Sequence, residues 1–246
     1  MPIKHLAGRA ITEVMPQRFM PLIDVGFETE IFYSFVIIVC SLMIYFGTKE
    51  LYELSSYKGI KYFRQTFLFF ALAYFFRIFI KFLLKYFNVI AVFDIPHKFF
   101  HCSIGPITLF VFMYFSSMAI FYLLYSVMWK KWKNKSNRIY LFHLLAFLIA
   151  ILTLLFRNPL IHFGINIFLL CFVLFTFLVS CKKTKSKKTK YNLHIIYALL
   201  FFFWIINIID ILVPNFFHTF QLLIYLSSVG IFLTILYKVL KKAGSI

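Results

Sequence analysis

Four polar side chains lie inside long apolar stretches of this sequence. Arg77 and Lys81 are four residues apart, and Asn207 and Asp210 are three apart, so each pair shares one helical face. A charge at the centre of a bilayer costs at least about 2.5–3.5 kcal/mol on insertion scales, so such residues are usually paired, snorkelled or functional. We predict one buried cluster of all four. It is either an ion pair that fixes helix register or a pocket for an anionic ligand or ion. The alternative is that the residues snorkel separately.

Histidines form the second constellation. His97 and His101 are four residues apart after Pro96, which suits a helix start, so their imidazoles are predicted to share a face. Neutral imidazoles with this spacing can bind zinc or copper, although interfacial histidines without metal are common. The metal candidates, all predicted on one side of the membrane, are Asp94, His97, His101, His162 and His218. His143 and His194 are predicted at the opposite side, and the two sets together would be the layout for two b-type haems.

Seven apolar runs must position these residues. The chain has 246 residues, of which 63% are hydrophobic, whereas a soluble domain has about half. Runs of about 20 apolar residues are long enough to cross a hydrocarbon core roughly 30 Å thick, and no alternating strand pattern appears. The sequence therefore predicts an all-α integral membrane protein, a seven-transmembrane-helix bundle. Its spans are about 31–48, 62–86, 105–129, 138–156, 159–180, 191–213 and 217–239.

The number of basic residues alternates between high and low from one gap between spans to the next. Of the 26 lysines and arginines, 18 fall in or beside the gaps after spans one, three and five and in the C-terminal tail, and only six lie on the other side. Cytoplasmic loops carry such an excess. The pattern predicts an extracytoplasmic N-terminus and a cytoplasmic C-terminus in a multi-pass protein of the cell membrane. The same distribution accounts for the net charge of +18 without nucleic acid.

The chain is predicted to divide into three parts. Residues 1–30 are an extracytoplasmic segment whose apolar spacing indicates an interfacial helix, with a loosely packed leader as the alternative. Residues 31–240 are the membrane domain, and 241–246 form a short basic tail. The lysine run at 182–190 is predicted to attract anionic lipids, or else to bind a separate cytoplasmic protein.

Several catalytic signatures are missing. Span seven has only Lys238, at its cytoplasmic end, so it lacks the mid-span lysine that a retinal Schiff base needs. No P-loop, Gly-x-Ser-x-Gly or His-Glu-x-x-His motif occurs. The topology resembles that of receptors and rhodopsins, which is a fold-level analogy. The pattern favours a non-enzyme.

The first functional hypothesis is a receptor or sensor. It would bind a small, anionic ligand in the outer half of the bundle and signal through a separate cytoplasmic partner. The alternative is a small-solute or ion transporter or channel lined by the charged stripe of span two. Further alternatives are a membrane enzyme that binds zinc, copper or haem, and a scaffold subunit whose lysine loops hold partners or lipids.

Overall fold

All regular secondary structure in the described part of the chain is α-helical. In this computed structural model, the described residues are 27–86, 97–132, 138–156, 159–186, 193–212 and 218–243. For some residues at helix ends the structure describes the backbone but not the side chain. Among them are Lys81, His97, His101, Asp210 and His218. Within these limits the helices are α1 Phe27–Gly47, α2 Lys49–Ser55, α3 Lys58–Tyr86, α4 His97–Met128, α5 Arg138–Leu155, α6 Pro159–Ser186, α7 Leu193–Leu212 and α8 His218–Ala243.

The helices coincide with the apolar runs of the sequence. Six of those described are long and apolar enough to cross a membrane, and α7 contributes a shorter apolar stretch, His194–Ile209. This confirms the helical class and is consistent with a multi-pass membrane bundle. The first helix begins at Phe27, four residues before the predicted span, and the short α2 lies in a gap that was predicted as a loop. The segment predicted as an interfacial helix lies outside the described residues.

The helices pack as a ring with one helix outside it. Neighbouring pairs are α1 with α3, α3 with α4, α4 with α6, α6 with α7, α7 with α8, and α8 with α1. Helix α5 packs mainly on α4, through a face of small and apolar residues that includes Ala146 and Ala150. Helix α4 is buried most extensively, with Met118, Ala119 and Phe121 fully enclosed.

The outer surface of the bundle is as apolar as its core. Helix α5 buries one face, yet its exposed face consists of large apolar side chains. Those side chains are Tyr140, Leu141, Leu144, Phe147, Leu148 and Leu152. Water-soluble proteins do not usually expose continuous apolar patches of this kind, so the surface suits lipid. Both faces of the helix are apolar for that reason, as expected for a membrane-spanning helix.

The middle of the bundle is filled by an aromatic layer, Phe67 and Phe70 of α3, Phe203 of α7 and Phe232 of α8. Phe203 and Phe232 lie 4.7 Å apart between ring centroids in an edge-to-face arrangement. Phe70 contacts both, at 6.0 Å from each, and Phe67 reaches Phe232 at 6.5 Å. All four rings are buried. Edge-to-face pairs add to the stabilisation that burial itself provides.

Exposed basic side chains gather at one end of the helices, which we call the basic end. It comprises the end of α1, the starts of α2 and α3, and the ends of α4, α6 and α8. Its exposed members are Lys49, Lys58, Lys61, Lys130, Lys131, Lys182 and Lys241. Gly59 allows the close approach of α3 and α4 there, because a Cβ would lie 2.9 Å from Trp129 Nε1 and 3.0 Å from the Ser126 carbonyl oxygen.

Adjacent phenylalanines of α7 test the aromatic layer. Phe203→Ala should lower the free energy of unfolding by about 3–5 kcal/mol, because it leaves a cavity in a packed core. Phe202 is 56% exposed on the lipid-facing side, so Phe202→Ala should change stability little. Thermal unfolding in one detergent measures both. Equal losses for the two variants would contradict the packing described for α7.

Candidate functional site

A buried ion pair joins α1 to α3 at the end of the bundle opposite the basic end. Arg77 Nε donates a hydrogen bond to Glu30 Oε1 at 2.9 Å, and Arg77 Nη2 lies 2.8 Å from the same oxygen. The side chains are only 14% and 8% exposed. Hydrogen bonds between two ionised groups are short and strong, and in hydrocarbon each charge needs the other.

A chain of neutral hydroxyl and amide groups lies beside the ion pair. Tyr74 Oη donates its one hydrogen to Asn207 Oδ1 at 3.3 Å, a long bond that links α3 to α7. The hydroxyls of Tyr33 and Tyr74 are 3.0 Å apart, and Tyr33 is then the donor of that bond. Asn207 Nδ2 in turn donates to the Phe203 carbonyl oxygen at 2.9 Å. We call Glu30, Arg77, Tyr33, Tyr74 and Asn207 the polar network.

The antiparallel register of α1 and α3 produces the network. Tyr33 is three residues after Glu30, and Tyr74 is three residues before Arg77. Because α1 and α3 run antiparallel, moving three residues forward along α1 corresponds to moving three residues back along α3. Glu30 therefore meets Arg77 and Tyr33 meets Tyr74 across the same interface, which we call the seam. Further along this seam, Arg64 Nε of α3 donates to the Tyr45 carbonyl oxygen of α1 at 3.0 Å.

Aromatic rings enclose the network. The Tyr225 ring of α8 stacks on Tyr33, with centroids 4.5 Å apart and planes 11° from parallel. The Arg77 guanidinium lies 5.3 Å from the centroid of Phe112 in α4, a cation–π geometry. Tyr33, Tyr74 and Tyr225 are each less than 10% exposed. The network therefore links α1, α3 and α7 by hydrogen bonds and adds α4 and α8 by ring contacts.

Two of the four residues predicted as one cluster lie in this network. Arg77 is its cation, and Asn207 is reached through Tyr74, one turn from Arg77 on α3. The side chains of Lys81 and Asp210 are outside the described residues, so their pairing stays a prediction. Glu30, the carboxylate that contacts Arg77, was not among the predicted site residues, because the predicted first span began one residue after it.

Tyr33 and Tyr74 were also absent from the predicted site. The chain has 15 tyrosines, and nothing in their types marks these two. The usable signal was positional. A glutamate and a tyrosine three apart begin the first apolar run, and a tyrosine and an arginine three apart occur in the next run, with opposite order. That complementarity predicts a shared seam only if the two helices are adjacent.

The metal candidates fall mostly outside the described side chains. Asp94 is outside the described residues, whereas His97 and His101 lie in the first turns of α4 and His218 begins α8, with side chains not described. His162 Nε2 lies 3.4 Å from Asn166 Nδ2, and its Nδ1 is buried without a hydrogen-bond partner among described residues. The described residues contain no group of three or more potential metal ligands.

The site offers recognition chemistry, with a guanidinium as its cation. Its carboxylate and guanidinium are held on neighbouring helices, and phenols and an amide surround them. A guanidinium seated on a carboxylate is also the geometry by which proteins bind carboxylate ligands.

Comparisons with known proteins give one informative result. No protein-family model matches the chain, and no solved structure matches it. A protein of Archaeoglobus fulgidus, described only as an uncharacterized protein, is 31% identical over 233 residues, which cover 93% of this chain and 98% of the relative. A similarity at this level along nearly the whole of both proteins establishes that the chain belongs to the same family as this uncharacterized Archaeoglobus fulgidus protein.

Proposed function

We propose that this chain is a seven-helix receptor or sensor of the cell membrane. In this proposal Arg77, Lys81, Asn207 and Asp210, together with Glu30, bind a small ligand that carries an anionic group. The ligand changes the packing of α1, α3, α7 and α8, and a separate cytoplasmic protein responds at the basic end. The carrying observation is a buried guanidinium that directs two of its nitrogens at a single oxygen of Glu30.

Arg77 has hydrogen-bonding capacity to spare. Two of its nitrogens are directed at a single oxygen of Glu30, which engages two of the five N–H donors of a guanidinium. A guanidinium carries donors on all three nitrogens, in a planar fork that matches carboxylate and phosphate groups. A small anion is therefore a suitable additional partner for the guanidinium. It would either replace Glu30 there or bind beside it.

Glu30 brings the formal charges of the proposed site into balance. Arg77 and Lys81 against Asp210 leave one positive charge in excess, whereas the addition of Glu30 makes the four formal charges balance. An anionic ligand is thus favoured by the geometry of Arg77 rather than by net charge. A zwitterionic ligand also suits a neutral site in which the opposite charges are held apart.

The network is well placed to couple a ligand to helix packing. Tyr33 contacts α3 through Tyr74 and α8 through Tyr225, so a shift at the Glu30 carboxylate reaches three helices directly. The seam between α1 and α3 continues to the basic end, where Arg64 binds the Tyr45 carbonyl oxygen. Helices that share such a seam move together or change register together, and this is the coupling we propose.

The aromatic layer favours a receptor over a transporter or channel. It lies between the network and the basic end, because Phe70 is one turn from Tyr74 on α3 and Phe203 is one turn from Asn207 on α7. A conducting path needs polar groups along its length. In the described part of the chain, this layer presents buried phenyl rings instead.

The proposed orientation places the basic end in the cytoplasm. Lysine and arginine in short loops set topology by remaining on the cytoplasmic side, and the exposed lysines of the basic end provide that signal. Anionic lipid headgroups would lie against the same lysines, each contributing about 1 kcal/mol. The proposed signalling partner would compete with lipid for this surface.

Ligand titration with a tryptophan reporter tests the proposed function. Trp204 is close to the network, three residues before Asn207, and its Nε1 donates to the Asn166 carbonyl oxygen at 3.3 Å. Replacement of Trp129 and Trp132 by Phe leaves it as the sole tryptophan. In nanodiscs we expect a saturable change in Trp204 fluorescence with at least one of acetate, succinate, glycine, glutamate and phosphate. Arg77→Gln should abolish this change.

The matched control for that titration is Arg64→Gln. Arg64 is the other arginine on α3 that binds an α1 group, and it lies near the basic end. It should leave the Trp204 response intact. If both variants lose the response, or if none of the five probes produces one, the receptor assignment at Arg77 is contradicted for these ligand classes.

A double-mutant cycle tests the ion pair itself. Glu30→Leu should destabilise the bundle by about 3–5 kcal/mol, because it leaves the Arg77 charge buried without its partner. Arg77→Met should do the same to Glu30, and the double variant should recover much of the loss. Thermal unfolding in nanodiscs measures all three. Simple addition of the two losses in the double variant would contradict the pairing.

The control is Glu53→Gln in the exposed Lys49–Glu53 pair, which should have no measurable effect on stability.

Cysteine labelling tests the orientation. In a background that lacks Cys40, Cys102, Cys171 and Cys181, Glu28→Cys places a thiol at the exposed start of α1 and Lys131→Cys places one at the basic end. An impermeant maleimide added to intact cells should label only the first. After the membrane is permeabilised, it should label both. Labelling of only the second in intact cells would reverse the proposed topology.

A further inference from the structure

A groove on the outside of the bundle lies between α4 and α5, on a face that the polar network does not use. It measures about 580 Å³, and its lining consists of Phe110, Tyr114, Tyr140, His143, Leu144 and Phe147. Tyr140, Leu144 and Phe147 are 74%, 59% and 46% exposed. The groove is therefore open along the side of the bundle, where lipid chains would lie.

The groove lies at the depth of the hydrocarbon layer if α4 and α5 cross the membrane. His143 is five residues into α5, roughly 7.5 Å from its start at about 1.5 Å per residue. Its hydrogen-bond partner Tyr114 precedes the end of α4 by 14 residues, so α4 extends further than α5 towards the basic end. Water-soluble ligands do not reach such a position readily, so its natural occupants are lipid-soluble molecules.

A polar pair lies within this apolar lining. Tyr114 Oη and His143 Nδ1 are 2.9 Å apart. A neutral phenol and a neutral imidazole hold two donor hydrogens between them, and their mutual bond uses only one. If Tyr114 donates, His143 Nε2–H remains, and if His143 donates, the Tyr114 hydroxyl remains. Whichever tautomer is present, one donor is left over, and neither residue makes another hydrogen bond within the described part of the chain.

An unused donor in hydrocarbon is costly, because no water is present to accept the bond. A lipid-soluble molecule with an oxygen acceptor would remove that cost. The walls favour a flat ring, since they include the aromatic side chains of Tyr114, Tyr140, Phe110 and Phe147, the last two in edge-to-face contact at 5.8 Å. Apolar lining with one or two placed polar groups is the usual composition of a small-molecule site.

We propose that this groove binds the ring of a lipid-soluble quinone. One ring carbonyl accepts the hydrogen bond left over from the Tyr114–His143 pair, the ring lies against the aromatic walls, and the apolar tail leaves through the open side into lipid. A phospholipid fits less well, because its charged headgroup belongs at the membrane surface rather than at this depth. The proposal concerns binding, and it is independent of the ligand proposed at Arg77.

Photolabelling tests the groove. The protein in lipid nanodiscs is irradiated with an azido-benzoquinone that carries a decyl tail, and labelled peptides are mapped by mass spectrometry. We expect label in the segments 110–114 and 140–147, displaced by excess unlabelled decylbenzoquinone. His143→Phe keeps the ring and removes the hydrogen bond, so it should reduce the displaceable label at least tenfold.

Two further variants separate binding from folding. Leu144→Trp fills the groove from an exposed wall position and leaves the Tyr114–His143 pair intact, so it should also abolish the displaceable label. Tyr237→Phe removes a phenol that is 63% exposed on α8, away from the groove, and should change nothing. Label spread over the apolar surface that excess quinone does not displace would overturn the proposal. The proposal would also be overturned if a second copy of the chain occupied the groove. That outcome would appear as crosslinked dimers and as labelling that His143→Phe does not reduce.

Discussion

Apolar surroundings on every side constrain this molecule more than any single contact. The exposed residues of α5 are as apolar as its buried ones. The packing of this helix therefore cannot be driven by a difference in hydrophobicity between an apolar face and a polar face. Shape and internal polar bonds must then specify which helices meet. The Glu30–Arg77 ion pair is a short, buried bond of this kind, and the tyrosine pair beside it depends on the same register. A slip of one residue along the seam between α1 and α3 would separate both.

This constraint also explains where function can reside. A solvated arginine on a water-soluble protein does not by itself indicate a functional site. Inside an apolar bundle, by contrast, each polar group needs a hydrogen-bond partner from the protein or from a ligand. Arg77 has donors beyond those that Glu30 receives, and the Tyr114–His143 pair has one donor more than it uses. Both proposed sites follow from that reasoning. They differ in access, since the first lies near an end of the bundle and the second opens on its side.

The sequence predicted the helices well because hydropathy averages over about 20 residues and tolerates local detail. Predicted spans and observed helices differ by only a few residues at most ends, although α4 begins at His97, eight residues before its predicted span. Helix α2 was missed because three of its seven residues, Lys49, Glu50 and Glu53, are charged, which is typical of a loop between membrane spans. Glu30 was missed for a related reason. A span boundary drawn by hydropathy excludes a terminal charge, yet a helix readily extends past it when the charge has a partner across the seam.

The polar network was only half accessible from sequence, and the reason is geometric. Charged residues stand out against an apolar background, which is how Arg77 was found, but Tyr33 and Tyr74 differ in no way from the other tyrosines of the chain. Their role depends on which helices are adjacent and in which register. Helix α4 illustrates the same point, because it directs Phe112 towards Arg77 and Tyr114, two residues later, towards the outer groove. Positions two residues apart on one helix thus serve different surroundings, which only the packing of the neighbouring helices determines.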